Sequence, residues 1–200
     1  IIPQGAAAAI GAAARLEKLD RNRIEEGLAR TGHTLVPLVW ELSRVTGEPH
    51  GGWVHWGATT QNITQTGDLL ILRQAHRIFL GQLGRILGAM ADLAERGAEM
   101  ALPGRTHGQH AVPATFGYKV AVWIDEILRH VERLEQAAPR LFVAMLGGGA
   151  GTFASLGRQG PAVQSGIGKH LGFGTMAVPS RALGDHLAEN ICLLAMLAAT

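Results

Sequence analysis

Two apolar stripes constrain this chain more than any other feature. Leu72, Ala75, Phe79, Leu83, Ile86, Met90 and Leu93 recur at steps of three and four. So do Phe116, Val120, Trp123, Ile127, Val131, Leu134, Ala138 and Leu141. A helix turns about 100° per residue, so each set falls on one helical face. The first, opened by the polar start signals Thr60, Gln61 and Asn62, predicts a helix of roughly nine or ten turns. A loop from about Ala101 to Val112 follows, and Pro113 stands where a first-turn proline would open the second long helix. Two such helices cannot bury both stripes inside a small globule. Both ask for long partner helices, which predicts an all-α, long-helix bundle shared between subunits. Gly81, Gly84 and Gly88 each cost about 1 kcal/mol of helix propensity, which a closely packed neighbouring helix would offset.

Composition agrees with this reading. Aromatic residues make up 5% of the 200 residues while apolar residues reach 47%. That mix suits helices packed over small side chains rather than a sheet. The net charge is only +2 and the arginines are scattered singly, so no basic stripe fits a nucleic-acid backbone. No run of about 18 apolar residues predicts a membrane span. One cysteine, Cys192, lies in an apolar run and is expected in the core. With no disulfide possible within the chain, a reducing, cytoplasmic setting is expected.

The segment Ile1 to Ala14 lacks a basic start and reads as helix, from about Gln4 to Lys18, rather than as a signal peptide. A second helix, Asn22 to Val45, contains Pro37, which should kink or split it. Thr46 to Ala58 reads as loop, Gly147 to Gly151 as a break, and Pro161 to Leu171 as a shorter helix. A last helix starts near Asp185. Residues 1–50 form an N-terminal helical region and 51–200 the central bundle domain. The absent initial Met and the helical pattern running to Thr200 predict an excerpt of a longer chain.

Polar residues concentrate at two places, Trp53 to Asn62 and Gly104 to His110, each ahead of a long helix. A helix start offers free N–H groups and the positive end of the dipole, so with Thr hydroxyls beside it an anion can be held. Two such sites could take the two carboxylates of a dicarboxylic acid, with His55 and His107 moving protons near neutral pH. Thr59, Thr60 and Asn62 could equally be helix caps. His107 and His110 lack the Cys, Asp or Glu neighbours that a metal centre needs, so no metal is expected. The Gly147–Thr152 run follows a helix and has no adjacent Lys, so it reads as a close-packed turn and not a phosphate loop. His33, His50, His76, His130 and His170 are given no role.

At these residues the sequence resembles the fumarase/aspartase superfamily. His55-Trp56-Gly57-Ala58-Thr59-Thr60-Gln61-Asn62 is similar to its first signature region. Arg105-Thr106-His107-Gly108-Gln109, continued by Pro113, Thr115, Phe116 and Gly117, resembles the second, and Gly147–Thr152 the glycine turn that follows. The stretches His55 to Gln61 and Thr31 to Val39 look closest to the adenylosuccinate lyase and 3-carboxy-cis,cis-muconate cycloisomerase branch. Two positions depart from that branch: Asn62 where Asp is usual, and Gly184 in Gly184-Asp185-His186 where Arg is usual.

The resemblance implies a lyase that breaks a C–N or C–O bond beta to a carboxylate of a substituted succinate, or a lactonising cycloisomerase. It implies a homotetramer, active sites shared between subunits, a dicarboxylate substrate, and no metal or organic cofactor. Thr106 would bind carboxylate and His107 would serve as acid or proton relay. Thr59, Thr60 and Gln61 would hold substrate carboxylate with His55 beside them, and Asn62, Arg105 and Gln109 would complete the binding set. The family's third signature, a serine-bearing mobile loop, has no counterpart around Ser155, Ser165 or Ser180. These residues alone are therefore expected to be inactive. The rival expectation is a non-catalytic helical scaffold.

Overall fold

Pro37 divides the N-terminal helical region as its ring requires. In the computed structural model, which describes residues 2–180 and 183–200, α2 (Arg21–Thr31) ends on Gly32 in the left-handed conformation. The next helix, α3 (Val36–Thr46), carries Pro37 in its first turn. There the missing N–H costs no helical hydrogen bond. α1 is shorter than the expected Gln4–Lys18: it spans Ala6–Ala13, and a 3-10 turn, Leu16–Lys18, follows. Lys18 Nζ turns back to donate to the Ala12 carbonyl at 2.8 Å, satisfying a free acceptor at the helix end.

The chain forms two compact units, Ile1–Asp68 with Val143–Ala182, and Leu69–Phe142 with Leu183–Thr200. In the first, α1 and α2 pack on α3. Glu41 of α3, 3% exposed, fastens the start of α2 to this helix. Its Oε1 accepts from the Asp20 N–H at 2.9 Å and from Arg44 Nη2 at 2.6 Å. Its Oε2 accepts from Arg44 Nε at 2.8 Å and lies 3.4 Å from Arg23 Nε. Asp20 itself caps α2, accepting from the Asn22 and Arg23 amides. Later in this unit β3 (Val143–Ala144) pairs in parallel with β4 (Gly174–Thr175). Between those strands lies α6 (Gly160–Leu171), which ends on left-handed Gly172.

The long helix α4 (Thr60–Arg96) has 37 residues and passes from the first unit into the second. In the second unit, β1 (Ala101–Thr106) and β2 (Gln109–Thr115) form an antiparallel hairpin ahead of α5 (Phe116–Leu141). The expected loop is thus a hairpin, and Pro113 lies in β2 rather than in a first helical turn. Pro103 faces Pro113 in the register. Neither has an N–H to give, so they occupy a place where the ladder needs none. Thr115 is the true cap of α5, its Oγ1 accepting from the Tyr118 amide at 3.1 Å.

At the hairpin base Phe116 N–H donates to Met100 C=O and Gly117 N–H to Gly97 C=O. A Cβ on Gly117 would stand 2.4 Å from the Ala94 carbonyl oxygen and 2.8 Å from Ala98 N. Only glycine allows that approach.

The apolar stripes are real but offset. Leu69, Leu83, Val120, Leu134 and Leu141 are buried. Ile86 and Trp123, assigned to the stripes from spacing, stay exposed along with Ile71, Ile78, Val122 and Leu128. α7 (Asp185–Ala198) packs on α5, where Arg140 Nε donates to Glu189 Oε2 at 3.2 Å. Cys192 is exposed on α7, contrary to its expected place in the core: the inward face of that helix is taken by His186 and Asn190. Among the described residues no helix is long and apolar enough to cross a membrane.

Two outcomes follow for stability. The Arg44 hydrogen bonds lead the causes that hold Glu41 at a pKa of about 2, against an ordinary 4.5. A depressed carboxylate stabilises the fold above its unfolded value and loses that contribution as pH falls through the folded value. Glu41→Gln is therefore expected to lose about 1–3 kcal/mol at neutral pH, with the gap from wild type closing between pH 4.5 and about 2 in denaturant melts. Gly117→Ala is expected to cost about 1–3 kcal/mol by forcing the hairpin base apart, read as a lower Tm by circular dichroism.

Candidate active site

The first polar region is a loop that delivers a helix start. Ser43 Oγ donates to the Gly51 carbonyl at 2.7 Å, pinning the loop to α3. Trp53 and Trp56 pack on each other with ring centroids 4.9 Å apart. His55 is held at φ 66° and Gly57 at φ 76°. A left-handed non-glycine residue costs roughly 1 kcal/mol or more and persists only where its surroundings fix it. The His55 Nε2 atom is buried with no hydrogen-bond partner. Burial lowers the imidazole pKa below its ordinary 6.5, favouring a neutral ring that can accept a proton.

At the helix start Asn62, 3% exposed, turns its Oδ1 back to accept from the Thr59 N–H at 3.0 Å. This is the reciprocal half of a capping box. Asn62 thus makes the cap contact at the start of α4. Thr64 and Thr66 spend their hydroxyls on helical carbonyls. Thr59, Thr60 and Gln61 instead line an open recess of about 420 Å³, together with Gly32, His33, Thr34 and Thr64.

His33 was given no role from sequence. Its Nδ1 accepts from the Leu35 and Val36 amides at 3.2 and 3.4 Å, capping α3. With Nδ1 accepting, Nε2 is the nitrogen left to act as a donor. The recess thus gathers the positive end of the α4 dipole, threonine side chains, Gln61 and an imidazole, a set suited to a carboxylate. The one sequence signal for His33 was its place in the short turn between Gly32 and Pro37.

The glycine run closes on this loop from behind. A Cβ at Gly57 would lie 2.9 Å from Leu156 Cδ2, and one at Gly148 would lie 3.5 Å from the Gly57 carbonyl oxygen. The expected close-packed turn is present, and what it packs against is the loop that carries His55.

The second polar region is the hairpin tip. Thr106 pairs with Gln109, so His107 and Gly108 form a two-residue turn, with φ 51° and 76°. Two positive φ values define a type I′ turn, which matches the twist of the strands. A register shift between Gly104 and Arg105 bends β1 just before the tip. Arg105, Thr106, His107, Gln109 and His110 are all exposed. The expectation that His107 sits at a helix start is corrected here: the start of α5 lies at Phe116, beyond β2. The tip offers side-chain chemistry, held at the end of a two-stranded ribbon. The two polar regions lie in different compact units. Among the described residues no group of three or more His, Cys, Asp or Glu could hold a metal ion.

The chain matches the Lyase family over residues 6–200. It is 34% identical over 200 residues to the N-acetyl-S-(2-succino)cysteine lyase of Dickeya dadantii, covering 100% of this chain and 44% of that protein. It is 37% identical to the adenylosuccinate lyase of Methanothermobacter thermautotrophicus, covering 100% and 45%. It is also 37% identical to the 3-carboxy-cis,cis-muconate cycloisomerase of Pseudomonas aeruginosa, covering 99% and 44%. The crystal structure of a fumarate lyase from Mesorhizobium sp. BNC1 superposes with a TM-score of 0.92 at 39% identity, over 100% of this chain and 47% of that one. The chain therefore spans less than half the length of the relatives it matches. A family match over almost all of the sequence, with both polar regions inside it, carries the conclusion that this chain belongs to the lyase family of the fumarase/aspartase superfamily.

Proposed function

We propose that the full-length protein eliminates an amine or oxygen leaving group from a substituted succinate, giving a fumarate-type acid as adenylosuccinate lyase does. The observation that carries this is the donor-lined recess at the start of α4. Thr59, Thr60 and Gln61 of that helix start share it with His33. A carbanion beside a carboxylate is high in energy unless fixed donors take up the charge that spreads onto the carboxylate oxygens. The recess supplies such donors before the reaction begins, so none must reorganise during it.

In this reading Thr59, Thr60 and Gln61 hold one substrate carboxylate, with His55 beside them as a neutral imidazole. Thr106, Arg105 and Gln109 bind at the hairpin tip, and His107 protonates the leaving atom or relays its proton. Asn62 acts indirectly by fixing the helix start. The base that removes the proton alpha to the carboxylate comes from elsewhere in the full-length protein. No metal or organic cofactor takes part. The exposed Ile71, Ile78, Ile86 and Val122 favour long-helix partners, hence a homotetramer with shared active sites. A single cysteine suits the cytoplasm. A lactonising cycloisomerase is the second reading, favoured by the 37% identity to the Pseudomonas aeruginosa enzyme.

A substrate panel decides between them. Full-length protein is mixed with adenylosuccinate, argininosuccinate, malate, aspartate and carboxymuconate, and unsaturated-acid absorbance is followed in the ultraviolet. Turnover of a succinyl-amine is expected. Lactone formation alone supports the second reading, and inactivity on all five, with the tetramer intact, supports a scaffold. His107→Ala is expected to lower kcat by about a hundredfold or more, the usual scale for a lost acid catalyst. Its sedimentation should stay that of the wild type, and unchanged turnover removes His107 from the mechanism.

A further inference from the structure

Gln164 sits where a backbone hydrogen bond ought to be. In a parallel pair, a residue that donates to one carbonyl accepts from the N–H two residues further along the opposite strand. Met176 N–H donates to Ala144 C=O at 3.3 Å. The next rung would run from Leu146 N–H to Met176 C=O. The side-chain amide of Gln164 fills that rung instead. Its Oε1 accepts from Leu146 N–H at 3.1 Å and its Nε2 donates to Met176 C=O at 2.8 Å. Both backbone groups stay satisfied while the strands part by the width of an amide. Gln164 is 5% exposed, so water does not compete for these bonds.

What leaves the ladder at this point is the glycine turn. A Cβ on Gly147 would stand 2.8 Å from Gly151 Cα and 2.9 Å from Pro179 Cβ, so the turn has no slack. Phe153 N–H donates to Gly147 C=O at 3.0 Å, and the Leu156 and Gly157 amides donate to Phe153 C=O at 2.8 and 2.7 Å. Leu156, 5% exposed, then seats on Gly57, two residues before Thr59. Each link from Gln164 to the loop is a backbone hydrogen bond or a tight contact.

We propose that Gln164 is a positioning residue for the His55–Gln61 loop and helix start. Its inserted amide sets how far the strands part, and so how Leu156 seats against Gly57. This rests on reading that loop as the carboxylate-binding part of the active site. Replacing the amide by an apolar group leaves two buried backbone groups unpaired, or lets them close on each other and drag Gly147 toward β4.

Steady-state kinetics and histidine resonances of the full-length protein test this. Gln164→Leu is expected to lower kcat/KM at least about tenfold with KM raised, because displaced donors hold the carboxylate and its developing charge less well. A fall in kcat at constant KM reports only lost folded protein and overturns the proposal, as do unchanged kinetics. Gln164→Glu covers the case in which the leucine variant does not fold. Protonated, its carboxyl can both donate and accept and should match wild type. Ionised at higher pH, it loses the donor to Met176 and its KM should climb relative to wild type. A pH-independent ratio overturns the proposal. The ring nitrogen signals of His55 are expected to move in Gln164→Leu, and unmoved signals likewise overturn it. A wild-type protein with no lyase activity defeats the functional reading, while the His55 signals still judge the positioning.

Discussion

Close backbone approach, permitted only where no Cβ stands, is the constraint on which both polar regions depend. At Gly117 the start of α5 lies against the last turn of α4, and the fifteen or so residues between have no course but outward. They pair with each other as a hairpin and carry His107 at the tip. At Gly57 the absent side chain admits Leu156, which backs the loop that holds His55. A methyl group at Gly117 would collide with backbone atoms that cannot easily yield, while at Gly57 it would press on the Leu156 side chain and strain a left-handed backbone.

The two regions solve the problem of presenting polar groups differently. The α4 start sets Thr59, Thr60 and Gln61 along the recess at the positive end of a helix, and Asn62 spends its side chain on keeping that start ordered. The recess beside it adds His33, whose Nδ1 is occupied by α3 and whose other nitrogen is left to donate. The hairpin has no helix dipole behind it and offers side chains on a two-stranded ribbon. Preorganised donors of the first kind suit a charge that develops in place. A projecting imidazole of the second kind suits proton transfer to an atom held elsewhere.

Much of this was legible from local pattern. The periods of three and four placed α4 and α5, Pro37 marked the split between α2 and α3, and the glycine run announced a tight turn. The pairing of Thr-rich and His-bearing segments marked both polar regions. Other features were hidden for specific reasons. The strands of the hairpin contain Pro103, Gly104 and Pro113, which argue against a strand, although His107-Gly108 is a two-residue turn signal. Trp123 and Ile86 fit a stripe by spacing alone, but spacing does not reveal which edge of a stripe is covered. Cys192 in an apolar run looked buried, yet α7 turns His186 and Asn190 inward.

Which segments are helical, where many of them break, and where polar residues concentrate can be read from local pattern, because these depend on neighbours within a few residues. Tertiary structure decided the rest. It brought His33 to Thr59, Thr60 and Gln61, set Leu156 on Gly57, and placed the Gln164 amide between Leu146 and Met176. These partners lie about a dozen to about a hundred residues apart. Their meeting depends on packing and on pairing every buried donor and acceptor, which no local period encodes.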